Sequence, residues 1–216
     1  MDYVLTFVDY YIFTPYVYSG SWPEGNVARQ ILSLWIITIL GGELIYLGFG
    51  TLNFYFVFDH DLMKHPLFIQ NQVKNEIHLG SMSIFWMSFP TVGLFYLEIK
   101  GHSKLYDNIE TQGLSAVFLS IVGFLFFTDM CIYWIHRFMH HKSIYKHLHK
   151  QHHIFKIPTP FASHAFHPLD GFLQSLPYHI YSFIFPLHKM VYLSLFVFVN
   201  VWTISIHDGT TAFQGN

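Results

Sequence analysis

Residues 136–153 read HRFMHHKSIYKHLHKQHH, with seven histidines in eighteen positions. His136 and His140 stand four apart, and His149, His152 and His153 stand at i, i+3 and i+4. On a helix these spacings bring side chains to one face. Two imidazoles on one face, near two or three on another, can enclose a metal ion. Imidazole suits zinc, copper, iron and nickel, so spacing alone does not name the metal. Asp129 lies seven residues before His136, two helical turns up the same stripe, with Tyr133 between them. A carboxylate near the end of an apolar run is expensive unless paired. Asp129 is therefore a candidate ligand, or a partner that orients a ligand histidine. A cluster of neutral imidazoles with open positions can hold iron that binds dioxygen. Hydrolytic zinc sites typically use three protein ligands, and the supply here is larger. The plain alternative is a solvated basic loop, which is how His141 and His147, off the pattern, are read.

The elements that must position these histidines are apolar. The chain has 216 residues, 52% hydrophobic and 11% charged, against about 25% charged in soluble domains. That balance points to a membrane protein. The net charge of −2 offers no basic field for nucleic acid. Cys131 is the single cysteine, so no disulfide forms within the chain, and its apolar surroundings read as a buried structural thiol. The opening MDYVLTFVDYY carries no Lys or Arg, unlike a secretory signal peptide. Residues 1–28, rich in Tyr, Phe and Trp, read as an interfacial segment.

Three apolar runs follow, from Gln30 to Phe58, Leu79 to Leu97 with Pro90 inside, and Gly113 to Ile135. Each is long enough to approach or span a bilayer. After the polar stretch 136–167 come Gly171–Leu187 and Met190–Ile206, two uncharged runs of 17 split by His188 and Lys189. They read as a tight spanning hairpin or a re-entrant pair. The 136–167 loop carries Arg137, Lys142, Lys146, Lys150 and Lys156 with no Asp or Glu. That bias puts it in the cytoplasm. A hairpin after it returns His207 to the same side, within reach of a site built from the earlier histidines. The expected fold is all-α, an integral membrane helical bundle with a cytosolic histidine-rich helical cap. Glu43 and His179, inside apolar runs, are expected to face the bundle interior.

HRFMH at 136–140 and HKQHH at 149–153 resemble the first two histidine boxes of the fatty acid hydroxylase/sterol desaturase superfamily. FLFFTDMCIYWIHRFMHH (124–141), KIPTPFASHAFHPLDGFLQSLPYHIY (156–181), VWTISIHDG (201–209) and FYFVFDHDLMKHP (54–66) resemble its sterol Δ5-desaturase branch. The resemblance runs from the first residues to about Gly209. It implies a multi-pass endoplasmic-reticulum protein with a non-haem di-iron centre. Such an enzyme introduces the C5–C6 double bond into lathosterol-type sterols with O2, taking electrons through cytochrome b5 and an NAD(P)H-dependent reductase. The ligands implied are His136, His140, His149, His152, His153 and His207. His164 and His167 match the loop text without an assigned role, and His167 before Pro168 reads as a helix cap. The implied divisions are 1–28 interfacial, 29–112 spanning, 113–208 a partial desaturase domain and 209–216 a divergent tail. The family pattern continues to a third histidine box beyond VWTISIHDG, which GTTAFQGN does not contain. The expectation is a truncated form with impaired desaturation that still inserts in the membrane. The alternatives are a silent membrane protein pairing with the intact enzyme or its electron donors, a bis-histidine haem protein, and a zinc-handling membrane protein.

Overall fold

The computed structural model describes residues 1–207, without the side chain of Thr111. The stretch 209–216, expected as a divergent tail, lies outside the described residues. The fold is all-α. Helix α1 (Asp2–Val8) passes through a π-helical turn (Asp9–Phe13) into the single turn α2 (Thr14–Tyr16). Helices α3 (Val27–Phe56), α4 (Gln72–Ile99) and α5 (Gly113–Met139) are long and apolar enough to cross a membrane. A single turn, α6 (Lys142–Ile144), opens the histidine stretch. Helices α7 (Pro168–Ile184) and α8 (Lys189–Ser205) have 17 residues each.

Local signals explain the ends. Asn26 caps α3, its side chain accepting from the amides of Ala28 (2.9 Å) and Arg29 (3.2 Å). His167 caps α7 by accepting from Leu169 N–H at 3.2 Å, with Pro168 at the first helical position. Gly113, at φ +79°, supplies the left-handed residue from which α5 departs. Helix α4 begins seven residues before the apolar run from Leu79. Its polar first turns are buried rather than solvated. Gln72 and Glu76 sit at 1% and 0% exposure against the segment that follows the histidines. Gln72 Nε2 donates to Ile157 O at 2.7 Å, and Thr159 donates to Glu76 from both its amide and its hydroxyl. Helix α7 stops at Ile184 because Leu187 and His188 (β2) turn away to pair in parallel with Leu105 and Tyr106 (β1). Cys131, expected buried, is only partly so.

The bundle has two distinct ends. At one, the β1–β2 pair lies beside Lys189, which holds Asp2 at 2.6 Å and Asp107 at 2.7 Å. Arg29 is buried there against Asp9 (2.6 Å) and Thr14 (2.7 Å). At the other, α5 ends, α7 begins and α8 returns, all at the histidines. Helix α4 packs between α3 and α7, and α5 and α8 flank them. Phe124, Tyr181, Tyr192 and Val199 form one core across α5, α7 and α8. Tyr46, Ile84 and Phe161 form another beneath the histidine end.

Tyr46 ties that end together. Its hydroxyl faces the carbonyls of Phe161 (2.8 Å) and Glu76 (3.2 Å), and it lies against Gly80, whose missing Cβ makes room. Tyr46→Phe is expected to cost about 1 kcal/mol, read as a lowered thermal midpoint in detergent.

Candidate metal centre

Four imidazoles converge where α5 ends. The candidate ligand nitrogens of His136, His140, His149 and His153 all lie within 4.8 Å of one another. His136 and His140 share one face of α5, and their Nε2 atoms are 3.1 Å apart. The next pair is built differently. The chain leaves α5 at His140, makes the turn α6 and a π-helical turn over Tyr145–His149, then a 3-10 turn over His152–Ile154. This broken backbone brings His149 and His153 together, Nε2 to Nε2 at 3.0 Å. The His149 ring stands 4.5 Å from that of His136 and 4.7 Å from that of His140.

A hydrogen-bonded chain on the far side of the rings sets their orientation. His149 Nδ1 lies 2.7 Å from Asp170 Oδ2, both residues fully buried. Asp170 Oδ1 accepts from Gln174 Nε2 at 2.7 Å, and Gln174 Oε1 lies 3.3 Å from His136 Nδ1. A carboxylate oxygen and an amide oxygen can only accept, so both histidines carry the proton on Nδ1. Their Nε2 lone pairs are then bare and aimed inward.

Sequence spacing put His152 on one face with His149 and His153. In the structure it turns to the other side, because the backbone there is not a continuous α-helix. His152 lies 5.7 Å ring to ring from His207. His207 Nδ1 donates to Thr203 O at 2.6 Å. Among the described residues the buried His152 Nδ1 has no hydrogen-bond partner, the state of an imidazole that a metal or water would complete. Asp129 is exposed on the outer face of α5 and shares an open groove with Tyr133, His136 and Arg137. The carboxylate that orients a ring is Asp170 instead. Sequence reasoning missed Asp170 and Gln174, although their i, i+4 spacing in the first turns of a capped helix was a usable signal.

Burial pushes the His152 imidazolium down to about 3, with His207 and the neighbouring rings adding repulsion. Burial, then His149, His140 and His136, lower His153 to about 4, and burial, then His149 and His136, lower His140. These imidazoles are neutral at pH 7, as metal ligation requires. His164 is lowered to about 4 by burial and then by His207.

An apolar cavity of about 220 Å³ lies between α3, α4, α7 and α8, with His164 and Asn200 among its lining residues. Gly41 and Gly42 thin its α3 wall. His179 reaches it with a ring held by Phe95, Phe196 and Tyr192. Glu43 sits at mid-helix, partly buried, accepting from Ser81 at 3.1 Å.

The chain is 63% identical over 211 residues to lathosterol oxidase of Rattus norvegicus, covering 97% of this chain and 71% of the relative. It is 62% identical to lathosterol oxidase of Homo sapiens over the same shares. The chain belongs to the lathosterol oxidase family. A Delta(7)-sterol 5(6)-desaturase of Gibberella zeae is 53% identical over 89% of this chain and 55% of its own length. The fatty acid hydroxylase model matches residues 121–215, the part that carries most of α5, the histidine stretch and α7–α8. No solved structure matches the chain. Members of the lathosterol oxidase family so named are enzymes.

Proposed function

We propose that this protein is a membrane-bound sterol desaturase that introduces the C5–C6 double bond into a lathosterol-type sterol. The single observation behind this reading is the cluster of four inward-facing imidazoles beside an apolar cavity within a membrane bundle. His136, His140, His149 and His153 would hold iron, and His152 and His207 would serve on the cluster's other side. Bound iron supplies the activation of dioxygen needed to break unactivated C–H bonds. The overall balance is one sterol and one O2 with two electrons and two protons, giving the desaturated sterol and two waters.

The residues of the chain do the rest. Asp170 and Gln174 hold the protons of His149 and His136 on Nδ1. The helices around the cavity exclude water and give the hydrocarbon an apolar bed. The basic residues Arg137, Lys142, Lys146, Lys150 and Lys156 favour the cytosol for the histidine end. In the endoplasmic reticulum that side meets cytochrome b5 and its NAD(P)H-dependent reductase as electron source.

The test uses the full chain in lipid nanodiscs. It is expected to retain iron after reconstitution and to bind lathosterol in preference to cholesterol. Iron should be lost in the His136→Ala, His149→Ala double variant. Equal iron content in wild type and double variant, or no lathosterol binding, would sink this reading.

A further inference from the structure

Three hydroxyls of the cavity walls are already engaged. Thr38 donates to Leu34 O at 2.7 Å, Ser88 to Phe85 O at 2.6 Å and Ser175 to Phe172 O at 2.9 Å. These hydroxyl protons are spent on their own helices. The histidine end differs. There Asn200 Nδ2 donates to Phe196 O at 2.7 Å, and its Oδ1, which meets His164, keeps a second lone pair for a hydroxyl donor. Ser163 Oγ lies 3.0 Å from His164 Nδ1. The His164 ring stands 4.9 Å from Tyr46 and 5.9 Å from Phe166, and the Phe166 ring is 6.1 Å from His152. His164 is therefore the link between the cavity and the metal cluster, half-buried in the loop that enters α7.

A sterol carries a hydroxyl at C3, two bonds from C5. A sterol with C5 and C6 at the metal must bring that hydroxyl to the histidine end of the cavity. Burying it without a partner is costly. His179 is too far along α7 to serve, nine residues past Asp170, or roughly 13 Å.

We propose that His164, with Asn200 beside it, receives the C3 hydroxyl of the bound sterol and so positions C5 and C6 toward the imidazole cluster. This rests on the sterol reading above. His164 acts here as a positioning and specificity residue, outside the set that holds the metal.

The test compares lathosterol with cholest-7-ene, which lacks the hydroxyl, by equilibrium binding to the full chain in nanodiscs. Wild type is expected to prefer lathosterol about tenfold, the worth of one hydrogen bond made in an apolar site. His164→Phe and Asn200→Leu should each erase that preference by weakening lathosterol binding more than cholest-7-ene binding, with a wild-type thermal midpoint reporting an intact fold. His164→Gln should restore part of it. A preference retained in both His164→Phe and Asn200→Leu would overturn the proposal and leave the sterol reading standing. Equal weakening of both ligands would overturn it too, since His164 would then only shape the cavity. Wild type binding neither ligand would overturn the sterol reading itself.

Discussion

Asp170→Asn is expected to lower the affinity of the purified chain for iron by roughly 10–100-fold, the usual cost of losing a partner behind a ligand histidine. The side chain keeps its size, so packing changes little. Its chemistry does not survive. The carboxylate accepts from His149 Nδ1 with one oxygen and from Gln174 with the other. An amide has a single acceptor oxygen. Either His149 or Gln174 then meets an N–H, and the histidine that loses its acceptor no longer keeps its proton on Nδ1. A tautomer with the proton on Nε2 presents a donor where the metal needs a lone pair. Competition with a chelator of known strength measures the loss. Gln174→Leu should act in the same direction but less, because it loosens His136 and leaves His149 bound to Asp170. Unaltered affinity in Asp170→Asn would mean that the cluster does not hold the metal.

Gly171→Ala is expected to destabilise the chain by about 1–3 kcal/mol, the range for overpacking a filled interior. A Cβ at Gly171 would collide with Phe166 Cε2 and fall 2.7 Å from Met87 Sδ. Phe166 has little freedom to retreat. Its carbonyl accepts from Ser83, and its ring touches those of His152 and His164. The added methyl therefore pushes into α4 or into the histidines. Thermal unfolding in detergent should show a lowered midpoint. Metal affinity should fall as well, since Asp170 is the adjacent residue. A wild-type midpoint would show that α7 slides outward without cost.

The sequence made the long helices legible because a bilayer enforces length and apolarity together. Helices α3 and α5 begin within three residues of the apolar runs that announced them. Helix α4 did not, because Gln72 and Glu76 are polar and buried at once. Their partners, Ile157 and Thr159, lie more than eighty residues away. No local pattern carries that pairing. The i, i+4 spacing of His136 and His140 was readable for the same reason that α5 was, since an intact helix keeps its period. His152 was misjudged because the chain from His140 to Ile154 changes helix type repeatedly, and a period holds only while the backbone does. Asp129 drew notice through its place in an apolar run. Asp170 escaped notice because it lies in a loop-to-helix passage where acidic residues are ordinary.

The two short helices bear on which membrane suits this chain. A helix of 17 residues reaches about 25 Å, short of a typical hydrocarbon slab of about 30 Å. Helices α7 and α8 nonetheless connect the β1–β2 end to the histidine end. Were both to cross a bilayer, lipid around them would have to thin, or the imidazoles would have to ride below the level of the headgroups. A host bilayer of about 27 Å exacts less distortion than one of about 32–33 Å. Thickness of the surrounding lipid thus becomes a control on how deep the histidine end rides and how near it comes to molecules dissolved among the acyl chains.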